Sequence, residues 1–386
     1  MVTGLTTASV TESNIPETAH VTEYSYDPYL NAVTEIIQPD GTKQYYEYNY
    51  WNLVEEQGYE KDGETCGVIN NTYSVLGQLE KQEAQTDGKE NVFEYNNIGQ
   101  IVRAVDDSGV RTYEYDERGR VTKETNGSEV KEYSYDENDN RTSLTVKRGG
   151  TVVQQEEYEY NRLNQLTQVK DGSGSVLASY TYNADGKITS ESKGGALTTE
   201  YVYNTGGQLK SKTNKKAVDG SVIGKYDYSY YFDGNILSEN DKLYEYDKQG
   251  RLVKEGNAEN VQEYTSYSYD RFGNRESMEY VVPITGGQRS VTYEYDKNNR
   301  LVEESRTGYL WTSEIAPESV TSYIYYEYDS MGNLVSKRGA ESDLDSGEDH
   351  VGLNVLKTSP NNTLVEMYDY DGFNRLRQVR KGGTTA

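Results

Sequence analysis

The chain has 386 residues, a formal net charge of −25 and only 34% hydrophobic residues, a balance that in most chains means disorder. Disorder is excluded by the aromatics, which make up 12% of the chain and are almost all tyrosine, 39 Tyr against 4 Phe and 2 Trp. The acidity argues against a nucleic-acid or anionic-membrane surface, since both need clustered Lys and Arg, and no run approaches the roughly 18 apolar residues of a membrane-spanning helix.

Residues 1–20, "MVTGLTTASVTESNIPETAH", read as a linker or the lead-in to a first strand, without the charged-then-apolar pattern of a signal peptide. From there to about residue 380 the chain is a repeat. Its marker is a Tyr-x-Tyr whose first position falls at 24, 46, 71, 93, 113, 133, 158, 180, 201, 228, 244, 267, 293, 326 and 368, with Asn71 and Phe93 as the two substitutes. Fifteen copies result, mostly 20 to 27 residues apart, and they hold 28 of the 39 tyrosines. Cys66 is the only cysteine, so the chain has no internal disulfide and no cysteine cluster for a metal.

Each position of the copy has a physical reason. Tyr at i and i+2 share one face of a strand, and Tyr is a good strand former. Asp or Asn follows the second Tyr in thirteen copies, Ser74 and Tyr231 being the exceptions. Such side chains favour the first position of a type I turn, where they bond nearby backbone N–H groups. Three residues later stands Gly, Asn or Asp in every copy but the first, where Leu30 fills the slot and one extra residue would bring Asn31 into it. These residues tolerate the left-handed conformation, and a type I turn followed by a left-handed residue makes a bulged hairpin. The predicted structural turn residues include Asp116 with Gly119, Asp247 with Gly250, Asp270 with Gly273 and Asp329 with Gly332. The pairing sets Tyr115 opposite Val121 and Asp116 near Arg120, with Tyr and aliphatic residues on one face and charged residues on the other.

Fifteen hairpins make about thirty strands. Open twisted sheets rarely pass about ten strands without curling or splitting, and a propeller needs a period near 40–45 residues. The expectation is therefore all-β: tandem antiparallel hairpins in a continuous, spiralling sheet. Its terminal strands, near Tyr24 and after Leu376, should be sticky edges. Two insertions are expected near 306–322 and 339–366, and residues 381–386 form a tail.

"YEYDERGRV", "YEYDKQGRL", "YEYDSMGNL" and "YDYDGFNRL" resemble the YD repeat that defines the Rhs/YD-repeat family. That family takes in bacterial polymorphic toxins, Gram-positive wall-associated proteins, components of insecticidal toxin complexes and animal teneurins. The resemblance covers roughly 24–380. It implies part of a β-sheet shell that encloses or displays a C-terminal toxic domain, a secreted or cell-surface bacterial location, and no cofactor. The partners it implies are further repeats, a plug and an effector from a longer chain. Toxin-releasing members carry a D-P-x-G-L self-cleavage motif after the last repeats, whereas the single Asp–Pro here is Asp27–Pro28, inside the first copy. Self-cleavage therefore carries over to no residue, and a chain ending in "RQVRKGGTTA" reads as a piece of a longer shell.

Catalytic candidates are few. His20 and His350 lie outside the copies with no evident Ser or Cys partner, and the paired carboxylates recur at every turn, which marks them as structure. "SDLDSGEDH" at 342–350 spaces Asp343, Asp345 and Asp349 like calcium ligands, but Gly347 comes one place early and no Glu closes the loop. A solvated acidic insertion is the simpler reading. Trp311, in "LWTSEIAP", is a candidate surface contact. A rival function is carbohydrate or cell-wall binding: "YYFDGNI" at 230–236 resembles aromatic wall-binding repeats, although those usually carry one Trp per repeat and only Trp51 and Trp311 exist here.

Overall fold

The computed structural model describes residues 20–260, 262–282, 287–310, 318–339 and 363–381. Its regular structure is all strand, thirty of them from Glu23–Tyr26 to Leu376–Lys381, in a 30-stranded sheet whose described pairings are antiparallel. Each repeat is one hairpin, and its first strand ends on the second Tyr of the marker. The chain divides into two compact units, one formed by 1–90 and 251–386, the other by 91–250.

The fifth hairpin, Gly109–Tyr115 with Val121–Asn126, shows the local logic. Tyr115 faces Val121 as the turn geometry requires, and the register then slips between Val121 and Lys123, the mark of a bulge. The Asp116 N–H donates to the Arg120 carbonyl at 3.0 Å, and the Gly119 N–H donates back to the Asp116 carbonyl at 3.0 Å. The Asp116 carboxylate accepts from the Arg118 and Arg120 N–H groups at 2.9 and 3.0 Å. The same pattern recurs along the chain, for example at Asp270, Asp296, Asp329 and Asp371. All fifteen hairpins place a left-handed residue after the turn. Gly takes it at φ between 77° and 96°, Asn52, Asp139, Asn164, Asn299 and Asn374 between 57° and 68°, and the first hairpin uses Asn31 at 54°.

The two faces differ. In Gly109–Tyr115, Tyr113 and Tyr115 are half-buried while Glu114 between them is exposed. Yet apolar burial is sparse: Ala84, Val146, Val291 and Ile324 are the buried hydrophobic residues among those described. The marker tyrosines are mostly half-buried, so neighbour-to-neighbour bonds must carry much of the cohesion.

Within the first unit the chain also meets itself. The return turn after the first hairpin touches the tight turn of the thirteenth: the Arg300 guanidinium donates to Asp40 Oδ2 at 3.1 Å, and the Asp40 N–H donates to Asn298 Oδ1 at 3.2 Å. Gly67, at the return after the second hairpin, lies against the Met331 sulfur in the turn of the fourteenth, leaving no room for a Cβ. Ala84 and Asp87, at the return after the third, meet the turn of the fifteenth, where the Gly372 N–H donates to Asp87 Oδ2 at 3.1 Å.

One expectation needs correction. The stretch 306–322 is mostly strand rather than insertion: Leu301–Leu310 and Glu318–Tyr328 pair from Glu303↔Tyr325 out to Leu310↔Glu318. Residues rich in Thr, Tyr and Val simply extend the hairpin, leaving 311–317 outside the described residues. Residues 1–19, 340–362 and 382–386, which hold most of the expected lead-in, second insertion and tail, also lie outside them.

Gly250 tests the turn. A Cβ there would meet nothing closer than Asn235 Nδ2 at 3.8 Å, so substitution reports on backbone strain alone at its φ of 77°. Gly250→Val should cost about 1–2 kcal/mol, and Gly250→Asn clearly less. Thermal midpoints compare the two, and equal midpoints would remove the left-handed requirement.

Candidate functional site

The candidate surface is the tyrosine face, and its chemistry starts from a gap. The ladder between successive hairpins stops short of the tight turn. Between the fifth and sixth it runs from Asn126↔Glu129 only to Lys123↔Glu132, leaving Val121 and Thr122 unpaired on that side. The bulge that tightens each hairpin also pulls it away from its neighbour, and the Val121 carbonyl is left facing the opening.

The second tyrosine of the next hairpin closes it. Tyr135 Oη donates to the Val121 carbonyl at 2.8 Å. The bond recurs in twelve hairpins, at 2.6 to 3.0 Å, including Tyr48 to Val33, Tyr182 to Leu166, Tyr269 to Leu252 and Tyr370 to Leu334. Only a ring with a donor at its tip can do this, which explains the excess of Tyr over Phe.

The first tyrosine turns to a carboxylate instead. Tyr133 donates to Glu124, Tyr201 to Glu191, Tyr267 to Glu255 and Tyr326 to Glu304, at 2.8 to 3.3 Å, each Glu being on the preceding hairpin. Burial, and then the bonded Glu156 or Glu191, pushes the Tyr158 and Tyr201 hydroxyls up to about 12. Where Asn71 replaces the tyrosine, its Nδ2 joins Tyr73 on the Val54 carbonyl, at 2.9 and 2.7 Å. Tyr231, which takes the place of the turn Asp, donates to the Tyr244 carbonyl at 3.0 Å and packs edge-on against Tyr246.

A third line of contacts runs along the tight turns. The residue after the left-handed position reaches the next turn: Gln100 Nε2 donates to the Gly119 carbonyl at 3.2 Å, Arg120 Nη1 to the Asp136 carbonyl at 2.9 Å, and Asn274 Nδ2 to Asn299 Oδ1 at 2.9 Å. The same cations lie over the next hairpin's second tyrosine, Arg120 over Tyr135 at 4.7 Å and Arg251 over Tyr269 at 4.6 Å. These lateral bonds are the functional residues that sequence reasoning missed. Their signal was present in the repeat of a polar, donor-bearing residue after each Gly or Asn, but a single hairpin does not show whom it reaches.

Asp116, Gly119, Asp247, Gly250, Asp270, Gly273, Asp329 and Gly332 stand one per turn and converge on no common centre. Among the described residues no group of His, Cys, Asp and Glu could hold a metal. Trp311, Asp343, Asp345, Asp349 and His350 lie outside the described residues. His20 stacks on Phe272 with ring centroids 3.9 Å apart, and burial raises the Cys66 thiol above its ordinary value, the reverse of nucleophile activation. No helix among the described residues is long and apolar enough to cross a membrane.

This is a tandem hairpin-repeat protein whose polar side chains are spent on holding one repeat to the next. A family model, the teneurin YD-shell, matches residues 106–219 and 151–281, and the same repeat continues on both sides of that span. Over that span, a little under half of the chain, the protein is similar to a YD-shell. Solved structures similar to it include the crystal structure of TcdB2-TccC3, at 11% identity and a TM-score of 0.32, covering 95% of this chain and 25% of that one. The TcdB2-TccC3-TEV crystal structure gives 12% identity and a TM-score of 0.31, over 93% of this chain and 24% of that one. The Tc holotoxin pore of Photorhabdus luminescens gives 10% identity and a TM-score of 0.31, over 95% and 24%. This chain thus spans about a quarter of each of those structures. No curated protein sequence matches it significantly.

Two measurements test the stapled face. Tyr182→Phe removes the donor to Leu166 and should cost about 0.5–1.5 kcal/mol. Tyr180→Phe, in the same strand and without a described hydroxyl bond, should cost less; equal losses would deny the staple its role. The second is alkaline titration. A tyrosine with a raised folded value favours the folded state while it stays protonated, so that stability is intact below the ordinary value of 10 and is lost as pH climbs toward the folded one. With Tyr45, Tyr158 and Tyr201 at about 12, unfolding should set in between about pH 10 and 12, together with tyrosinate absorbance. Loss of the β signal well below pH 10, or its full retention above about pH 12, would contradict the buried hydroxyls.

Proposed function

We propose that this chain is a wall segment of a secreted or surface-exposed shell that encloses or displays a toxin or effector domain, and that it performs no chemistry itself. The observation that supports the reading is the lateral stapling of twelve described hairpins to the one before, which makes a sheet extensible by repetition. The recurring chemistry of each repeat goes into turns and inter-repeat bonds, and among the described residues none of it converges on a reaction centre. A net charge of −25 suits an exposed wall and disfavours nucleic acid as cargo. Its partners are then further repeats, a sealing plug and an effector.

Carbohydrate binding is the second reading, favoured by aromatic residues exposed at turn tips: Tyr29, Tyr50, Trp51 and Phe232. Limited proteolysis of the native product that carries this segment distinguishes them. A wall protects its effector until the sheet is unfolded, so effector fragments should appear only under conditions that melt the β signal. Free cleavage of a folded effector, together with cell-wall pull-down lost in Trp51→Ala, would replace the wall by the binding module.

A further inference from the structure

The first unit shows what a return edge is for. Three successive return turns are covered by three successive tight turns, first by thirteenth, second by fourteenth, third by fifteenth, a constant offset of twelve hairpins. The covered groups are well buried: Thr42 is 4% exposed, Ala84 0% and Asp371 7%. Asp40 is held there too. Burial by itself would raise its carboxyl, but bonds from the Thr42 N–H and Lys61 outweigh that and hold it far below the ordinary range. The seating is chemically simple. Met331 rests half-buried against Gly67 and Gly372 against Ala84, and a turn N–H or cation reaches a return-turn carboxylate.

The second unit has the same edge without a cover. After the sixth and seventh hairpins, Val152, Val153, Val176 and Leu177 are 49%, 51%, 45% and 38% exposed. Val152, Val153 and Leu177 line a shallow groove of about 500 Å³ together with Gly172, Asp171 and Glu156. Small residue, apolar wall and return-turn carboxylate are all present, as at Gly67, Ala84 and Asp87. The complementary edge is uncovered as well. In the second and third hairpins the tip residues Tyr50, Trp51, Val75 and Leu76 are 93%, 62%, 90% and 80% exposed, and Trp51 and Leu76 hold the turn position that Met331 and Phe373 fill in the covered turns. Adjoining apolar groups of this kind mark an interaction surface.

We propose that the return edge of the second unit, at Val152, Val153 and Leu177, docks the tight-turn tips of a second copy of this chain, in head-to-tail fashion. Self-complementarity selects this occupant: both halves of an interface that the chain already makes internally are exposed again, on different surfaces. In this docking Val75 and Leu76 of the second copy meet Val152 and Val153. The contact is heterologous, one edge against a different one, so it propagates instead of closing into a symmetric dimer. Like charge opposes it, and salt, which screens that charge, strengthens it. The docking stands apart from the wall reading, since it concerns which edges meet and not what lies behind the sheet.

Sedimentation of the full chain tests it, with circular dichroism confirming that each variant is folded. The wild-type chain should self-associate with concentration, more at high salt. Leu76→Asp damages the tip and Val153→Lys the seat, both at exposed positions, and each variant alone should remain monomeric. Mixed, the two should form a one-to-one complex and nothing larger, because each retains the edge that the other has lost. Self-association of either variant at the wild-type level, as pairing of the terminal strands would give, overturns the proposal. So does a wild-type chain that stays monomeric at high salt, or a mixture that stays monomeric.

Discussion

The hydrogen bond from a tyrosine hydroxyl to the carbonyl that opens the previous hairpin's second strand is the interaction on which the rest depends. The tight turn requires a left-handed residue, that residue produces a bulge, and the bulge ends the inter-hairpin ladder short of the turn, as at Lys123↔Glu132. Without compensation each seam would open at one rim and leave a carbonyl unpaired, a cost of about 1–3 kcal/mol if it is kept from water. Tyr135, Tyr182 and Tyr269 supply the missing donor from the end of a flat, packable ring. Turn and tyrosine are thus one device: the residues that close a hairpin create the need that the next hairpin's tyrosine meets.

Stability then accumulates along the chain, repeat by repeat, as it does in solenoids. Among the described residues four hydrophobic side chains are buried, too few for one shared core to carry that part of the fold. The acidity fits the same economy. Glu124, Glu191 and Glu304 accept from first-position tyrosines, and Glu132 and Glu159 pair with Lys147 and Lys170 across neighbouring strands. Most of these pairs are partly solvated, where each contributes little, so the carboxylates matter more as acceptors that hold the rings in place.

The single hairpin was fully legible in the sequence because everything that shapes it lies within ten residues or so: the alternating tyrosines, the Asp that bonds its own turn, the residue that accepts positive φ. Even the irregular first copy could be read, since Asn31 is the one nearby residue suited to that conformation. What joins hairpins was not legible. Arg120 reads locally as the partner of Asp116, and it is, at 2.7 Å, but it also bonds the next turn and covers Tyr135. Those partners depend on how far neighbouring strands splay, which no residue pattern states. The contacts of Asp40, Gly67 and Asp87 with residues more than 250 positions away were further out of reach, because no local pattern links hairpins twelve apart. The long gap at 306–322 misled for the opposite reason: distance between markers suggested an insertion, whereas strand-forming residues had lengthened the hairpin itself.

A sheet built this way has two unlike edges, and their difference bears on how such a wall grows. The tight-turn edge is stitched by its own side chains, Gln100 to Gly119 and Asn274 to Asn299, so its backbone is satisfied before anything docks on it. The return edge is joined more by backbone bonds, as from the Gly149 N–H to the Ser128 carbonyl at 2.9 Å, and its turns vary from "DDSGVR" to "KDGSGS". Docking therefore joins a preorganised edge to an adaptable one, which lowers the ordering cost of each contact. Where small residues such as Gly67 and Ala84 line the adaptable edge, the tip comes close and the seam is dry. Where Val152 and Val153 line it, the edge keeps an apolar surface that only another turn tip of the same kind would match in shape. Sequence variation in the return turns, neutral for the hairpin itself, is thus free to decide which parts of the wall are sealed and which stay open to a partner.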